Sequence, residues 1–179
     1  MQLPTLSRDT VFFLLNLVFF QVLWFACVVG TGGMGWAFAA PLALLPLIAL
    51  SAFSPHRRLD WQIAAICVGF GMVIDNIWVA AGILAYDHGN YAPYWIGVLW
   101  LGLGLTINHS MSWFRDRRVL GPLIVGAFAP VTYFTGQRFD AVAVEATYSL
   151  VLISVSWALL FVVLSSMAHS RLKTVEAQS

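Results

Sequence analysis

The chain has 179 residues, of which 60% are hydrophobic and only 9% charged, against about 25% charged in an ordinary soluble domain. A soluble core of this size could not bury so much Phe, Trp and Leu behind so few polar groups. The net charge of +1 excludes the strongly basic balance of a nucleic-acid binder and gives no attraction for a strongly acidic partner.

Six apolar stretches follow one another, at residues 10–29, 35–53, 61–84, 93–114, 119–136 and 142–168. Each is close to or above the ~20 residues that carry an α-helix across a ~30 Å hydrocarbon layer. The fifth is short, and the sixth is long enough to tilt or to project. The alternating ~10-residue segments of a membrane β-barrel are absent. The sequence therefore predicts an all-α polytopic membrane protein, a single domain over 1–179 built as a bundle of six transmembrane helices. The first stretch is too long for a signal-peptide core and no small-x-small site follows it, so cleavage is not expected. Connections are short; the largest on the outer side runs over 85–92. No soluble catalytic domain is expected, and function must sit between the helices or on their ends.

The few charges are unevenly placed. Arg8, Arg57, Arg58, Arg115, Arg117, Arg118, Arg171 and Lys173 fall on one side of this layout, and Arg138 alone on the other. Short loops rich in Lys and Arg stay cytoplasmic, which predicts both termini inside, N-in and C-in. On these spans Cys27 and Cys67 differ in depth by roughly 15 Å, too far for a disulfide, so both are expected as free thiols.

An ionisable group in hydrocarbon is costly, and Asp75 is the deepest acid, roughly 21 Å along the third stretch from Trp61. Two readings stand side by side. Asp75 forms the polar end of an outward pocket that takes a cation, a proton or a ligand head group; or it is a structural acid, paired with Arg138 or hydrogen-bonded to a neighbouring helix. Arg138 and Tyr133 are the expected partners, with Asp87 and His88 capping the outer end of the third stretch. Gly71, Asp75, Trp78 and Gly82 share one helical face, and Gly126, Pro130, Tyr133 and Gln137 form a similar stripe. Glycines beside the acid would let another helix come close, and the two faces are expected to meet. On the inner side Asn108 and Ser112 share a face with Gly104 and Gly97, while Asn16 and Gln21 point about 140° apart on the first stretch. The candidate ligand-binding residues are thus Asp75, Tyr133, Arg138 and Asn108.

His56, His109 and His169 belong to the cytoplasmic end but lack the spacing of metal ligands, so neither a metal nor another cofactor is expected. There is no G-x-S-x-G turn, no histidine-box set and no phosphate-cradling glycine loop. His56-x-x-x-Asp60 is one residue short of an acyltransferase box. The motifs lean away from an enzyme. Pro41 and Pro46 in the second stretch and Pro122 and Pro130 in the fifth would be equivalent in a three-plus-three inverted repeat, an arrangement used by transporters. Trp24, Trp36, Trp61, Trp95 and Trp113 lie toward stretch ends, where indoles favour the head-group layer; Trp78, Trp100 and Trp157 lie deeper, as packing residues.

The run Pro93-x-Trp95…Leu99-Trp100…Thr106-x-Asn108-x-Ser110-x-x-Trp113, with Gly126…Pro130-x-x-Tyr133-x-x-Gly136, resembles a family of small multi-spanning bacterial inner-membrane proteins catalogued as a domain of unknown function. Asn16…Phe20-Gln21…Trp24-Phe25 and Asp75…Gly82 fit the same pattern. The resemblance implies a bacterial inner (cytoplasmic) membrane. Members are often encoded near genes similar to cyclopropane-fatty-acid synthases, which implies a role around membrane lipids; no catalytic residue comes with the family. Three functions follow in order of expectation: a binding or transport module for a lipid-like or small amphipathic ligand, a non-catalytic partner subunit of a membrane complex, and a membrane-embedded lipid-modifying enzyme. The expected partners are membrane lipids, and beyond them other membrane proteins or a second copy of the chain; nucleic acid is not among them.

Overall fold

A computed structural model of the protein describes residues 7–86 and 89–176. Asp87 and His88, expected to cap the third stretch, lie outside the described residues. Helix α1 (Arg8–Phe25) starts at Ser7, whose hydroxyl accepts the Thr10 backbone N–H at 3.1 Å, and carries Asp9 in its first turn. Both features suit a helix N-terminus, where backbone donors are unpaired. The helix runs on into a widened π-helical segment, Ala26–Gly33. Helix α2 (Ala39–Ser51) contains Pro46, and α3 (Arg57–Ala80) is the second long helix. Strand β1 (Leu84–Ala85) leads to α4 (Tyr94–Gly104), the single turn α5 (Ser112–Arg115), α6 (Leu120–Arg138), β2 (Ala143–Val144) and α7 (Thr147–Glu176).

The described residues are all-α apart from the two-residue antiparallel pair β1–β2, which registers Leu84 with Val144 and Ala85 with Ala143. This clasp ties the chain just beyond the C-terminal end of α3 to the start of α7. Three helical segments are long and apolar enough to cross a membrane: Arg8–Gly33, Arg57–Ala80 and Tyr148–Arg171. Ala39–Ser51 and Tyr94–Gly104 are shorter apolar helices.

The fourth predicted stretch needs correction. Regular helix stops at Gly104, and residues 105–111 form turns before α5. There the Thr106 hydroxyl donates to the Leu103 carbonyl and the Met111 N–H closes back on Thr106 O at 2.9 Å. A side chain that bonds its own backbone competes with helix. Asn108 therefore does not continue the face of Gly97 and Gly104.

Helices pack mainly as consecutive pairs, α1 on α2, α3 on α4 and α6 on α7. The core is hydrophobic, yet much of the outer surface is apolar as well. On α1 the buried residues are Asn16 and Leu23, while Val18, Val22 and Phe25 are exposed, as are Val73, Ile77, Phe128 and Leu159 on other helices. Contiguous exposed apolar surface of this extent suits contact with lipid tails. Cys27 and Cys67 are free and buried in the core.

Just past the C-terminal end of α3, Gly82 adopts φ 66°. Its N–H bonds Val79 O at 3.0 Å and the Ile83 N–H bonds Trp78 O at 2.8 Å. This is a Schellman ending, open to glycine because a side chain at that φ is strained. Gly82 is thus a chain reversal beyond the helix rather than part of the Asp75 face. The reversal sends the chain back over α3, which positions the site.

Candidate functional site

Asp75 is completely buried, and both of its oxygens are held. The Tyr86 hydroxyl, returned by the turn at Gly82, donates to Oδ1 at 3.0 Å; the Trp100 indole N–H donates to Oδ2 at 2.8 Å. Gly71, one helical turn before Asp75, makes the second bond sterically possible, because a Cβ there would overlap the Trp100 ring. Burial first, then the Asp75 carboxyl beside it, push the Tyr86 hydroxyl well above its usual range, so it stays a donor. The outer loop is pinned to the same helix by Asn76, whose side-chain oxygen accepts the Ala92 N–H at 3.1 Å. Aromatic rings surround the acid. Tyr86 meets Trp95 edge to face, Trp100 stacks on Trp157 at 4.7 Å, and Trp78 meets Tyr133 edge to face.

Asp75 and Tyr133 line one cavity of about 470 Å³. Its walls come from α1, α4, α6 and α7 and are largely aromatic and aliphatic, with Phe20, Trp24, Leu99, Leu103 and Val125 among them. Helices α1 and α6 face each other across it without packing closely. Gln21, Phe128 and Thr132, all exposed, stand at this gap. The buried Trp157 indole N–H lies beside the Tyr133 hydroxyl.

The expected stripes do meet, at the Trp78–Tyr133 contact, but Gly126 on the second stripe turns to Ser154 and Ala158 of α7. Arg138 does not bond Asp75. It is exposed at the end of α6, with its guanidinium 5.0 Å from the Phe134 ring centre. Sequence reasoning missed Tyr86 and Trp100 as the partners. Gly71 was the available signal, since a small residue four before the acid marks where a large ring can lie. Trp95, expected at an interface, is buried against Tyr86.

Asn108 belongs to a second polar centre, at the N-terminal end of α3. Its amide donates to Asp60 Oδ1 at 2.8 Å, and its own oxygen accepts from Arg115 at 2.9 Å. Asp60 Oδ2 receives the Ser54 hydroxyl and lies 2.9 Å from His109 Nε2. The same imidazole nitrogen is 3.3 Å from Ser54 Oγ. A nucleophile triad presents opposite imidazole nitrogens to the acid and to the hydroxyl, so this geometry holds segments together rather than activating a serine. Close by, Asn16 receives both the Ser110 N–H and hydroxyl and donates to Leu105 O. These bonds fix the non-helical 105–111 turn. Among the described residues no group of three metal-ligating side chains gathers.

The sequence profile of a family described as a protein of unknown function, DUF2878, matches residues 13–163. The chain belongs to this family. The DUF2878 match spans every residue that lines the cavity and both polar centres. No curated protein and no solved structure matches the chain.

Proposed function

We propose that this DUF2878 protein is a six-span membrane protein with both termini cytoplasmic, and that it binds or carries a lipid-like or small amphipathic ligand in the Asp75 cavity. The observation that carries this reading is a buried carboxyl on the wall of an otherwise apolar cavity. The volume of about 470 Å³ falls within the ~300–1,000 Å³ of small-molecule sites. Each Asp75 oxygen holds one protein donor, and a carboxylate oxygen accepts more than one. The head of the ligand therefore carries a donor, a hydroxyl or an ammonium, while its apolar part lies along the Trp, Phe and Leu walls. The gap between α1 and α6 supports sideways access from lipid. Of the four sequence-derived candidates, Asp75 and Tyr133 carry this reading.

Plugging the mouth tests it. Thr132→Trp places an indole in the gap from an exposed position; Val131→Trp, exposed and outside the lining, is the control. Native mass spectrometry of protein extracted from membranes should show a bound amphipathic molecule on wild type and Val131→Trp, and loss of most of it on Thr132→Trp. Equal occupancy in all three would remove the cavity as the binding site.

A further inference from the structure

A second cavity, of about 390 Å³, opens between α5, the chain leading into α6, and the last turns of α7. Its chemistry is opposite to that of the first. Arg115, Arg118 and His169 line it, together with the hydroxyl residues Ser165 and Ser166. Positions 165, 166 and 169 fall on one side of α7 by helical spacing. Ser165 is only 4% exposed, and its hydroxyl is buried with no hydrogen-bond partner among the described residues. A buried hydroxyl left unpaired costs free energy unless something else bonds it.

The one acid in the lining, Asp116, is already committed. Its carboxylate accepts Arg115 Nε at 2.8 Å. Arg115 spends one terminal nitrogen on Asn108 and keeps the other. Arg118 is exposed and makes no ion pair among the described residues. Two guanidinium groups against one carboxylate leave the lining cationic. Next to it Arg117 lies 3.8 Å over the Trp113 ring, a cation–aromatic pair of the kind that sits at head-group level in membranes.

We infer that this cavity binds a phosphate-type oxyanion, either free phosphate or the head group of an anionic phospholipid. Arg118 and the spare Arg115 nitrogen supply charge-assisted donors, and Ser165 supplies the buried one. Basic pockets between helices on the cytoplasmic side of a membrane suit such head groups. The inference does not depend on the Asp75 cavity.

The test uses the full chain in a neutral detergent, titrated separately with inorganic phosphate and with phosphatidylglycerol, phosphatidylcholine serving as the uncharged-lipid reference. Thermal unfolding and lipid retention by native mass spectrometry are the readouts. Wild type is compared with Arg118→Gln, Ser165→Ala and Arg58→Gln, the last removing an exposed cation elsewhere on the chain. Phosphatidylglycerol, phosphate or both should stabilise wild type and Arg58→Gln over the phosphatidylcholine reference. Apparent affinity should fall about tenfold in Arg118→Gln and Ser165→Ala, a difference of about 1.4 kcal/mol. Protection by phosphate alone assigns the free ion; protection by phosphatidylglycerol alone assigns the head group. Binding of neither probe to wild type, or an equal loss in Arg58→Gln, overturns the inference.

Discussion

Helix α3 carries two buried carboxyls, Asp60 and Asp75, 1% and 0% exposed, and they have opposite surroundings. Asp60 is crowded: Ser54, Asn108 and His109 all bond it, and Arg115 extends the network through Asn108. Asp75 has two neutral donors and an open cavity beside it. Burial alone therefore does not separate a structural acid from one available to a ligand. Spare acceptor capacity beside a cavity is the difference that the proposed function rests on. Asp60 cross-links the α2–α3 connection, α3 and the broken end of α4; Asp75 is anchored firmly enough to hold its place and remains free to bond once more.

The comparison can be broken most sharply at Asp60. Asp60→Leu should cost about 3–5 kcal/mol, because it strands hydrogen-bonding groups on two segments, the α2–α3 connection and the 105–111 turn. Thermal unfolding in detergent should show a large fall in midpoint, with Asp60→Asn intermediate. A near-native midpoint for Asp60→Leu would mean the inner network is not a structural clamp. Gly71→Ala comes next. Its methyl would overlap the Trp100 ring, and forcing it in should cost about 1–3 kcal/mol. It should also reduce ligand occupancy by shifting the donor on Asp75. Unchanged occupancy and stability would show that Trp100 moves without consequence. The smallest effect belongs to Arg138→Gln, within about 0.5 kcal/mol, as expected of an exposed side chain away from special features. A larger loss of stability or of occupancy would restore Arg138 as the partner of Asp75.

The all-α fold was legible because crossing lipid demands long apolar runs, and three helical segments, Arg8–Gly33, Arg57–Ala80 and Tyr148–Arg171, are long and apolar enough to do so. The break at 105–111 was not legible, since hydropathy does not distinguish a helix from a tight turn that bonds its own backbone. That break moved Asn108 away from the cavity and onto Asp60. Asp75 and its Gly71 neighbour were readable from depth and helical phase. Its partners were not. Tyr86 reaches it only through the reversal at Gly82, and Trp100 looks like any deep packing residue until its indole N–H is placed. Asp60 was weighed only with His56, as an acyltransferase box one residue short; nothing local announces that Asn108 and His109 fold onto it from about fifty residues away. Arg138 was favoured for its charge, its depth and a stem long enough to reach inward, yet neutral donors were nearer.

The measurement closest to the central claim is ligand occupancy in Asp75→Asn beside its unfolding midpoint. An amide oxygen still accepts the Trp100 N–H, and the amide nitrogen can donate to the Tyr86 hydroxyl, which both donates and accepts. The fold should therefore survive, with a change below about 1 kcal/mol for one rearranged hydrogen bond. The site, however, loses its negative charge and one of its two acceptor oxygens, and with them the charge-assisted bond proposed for the ligand head. Native mass spectrometry should show the amphipathic molecule depleted from Asp75→Asn at a near-native midpoint. Full occupancy in that variant would contradict the account and leave Asp75 a purely structural acid.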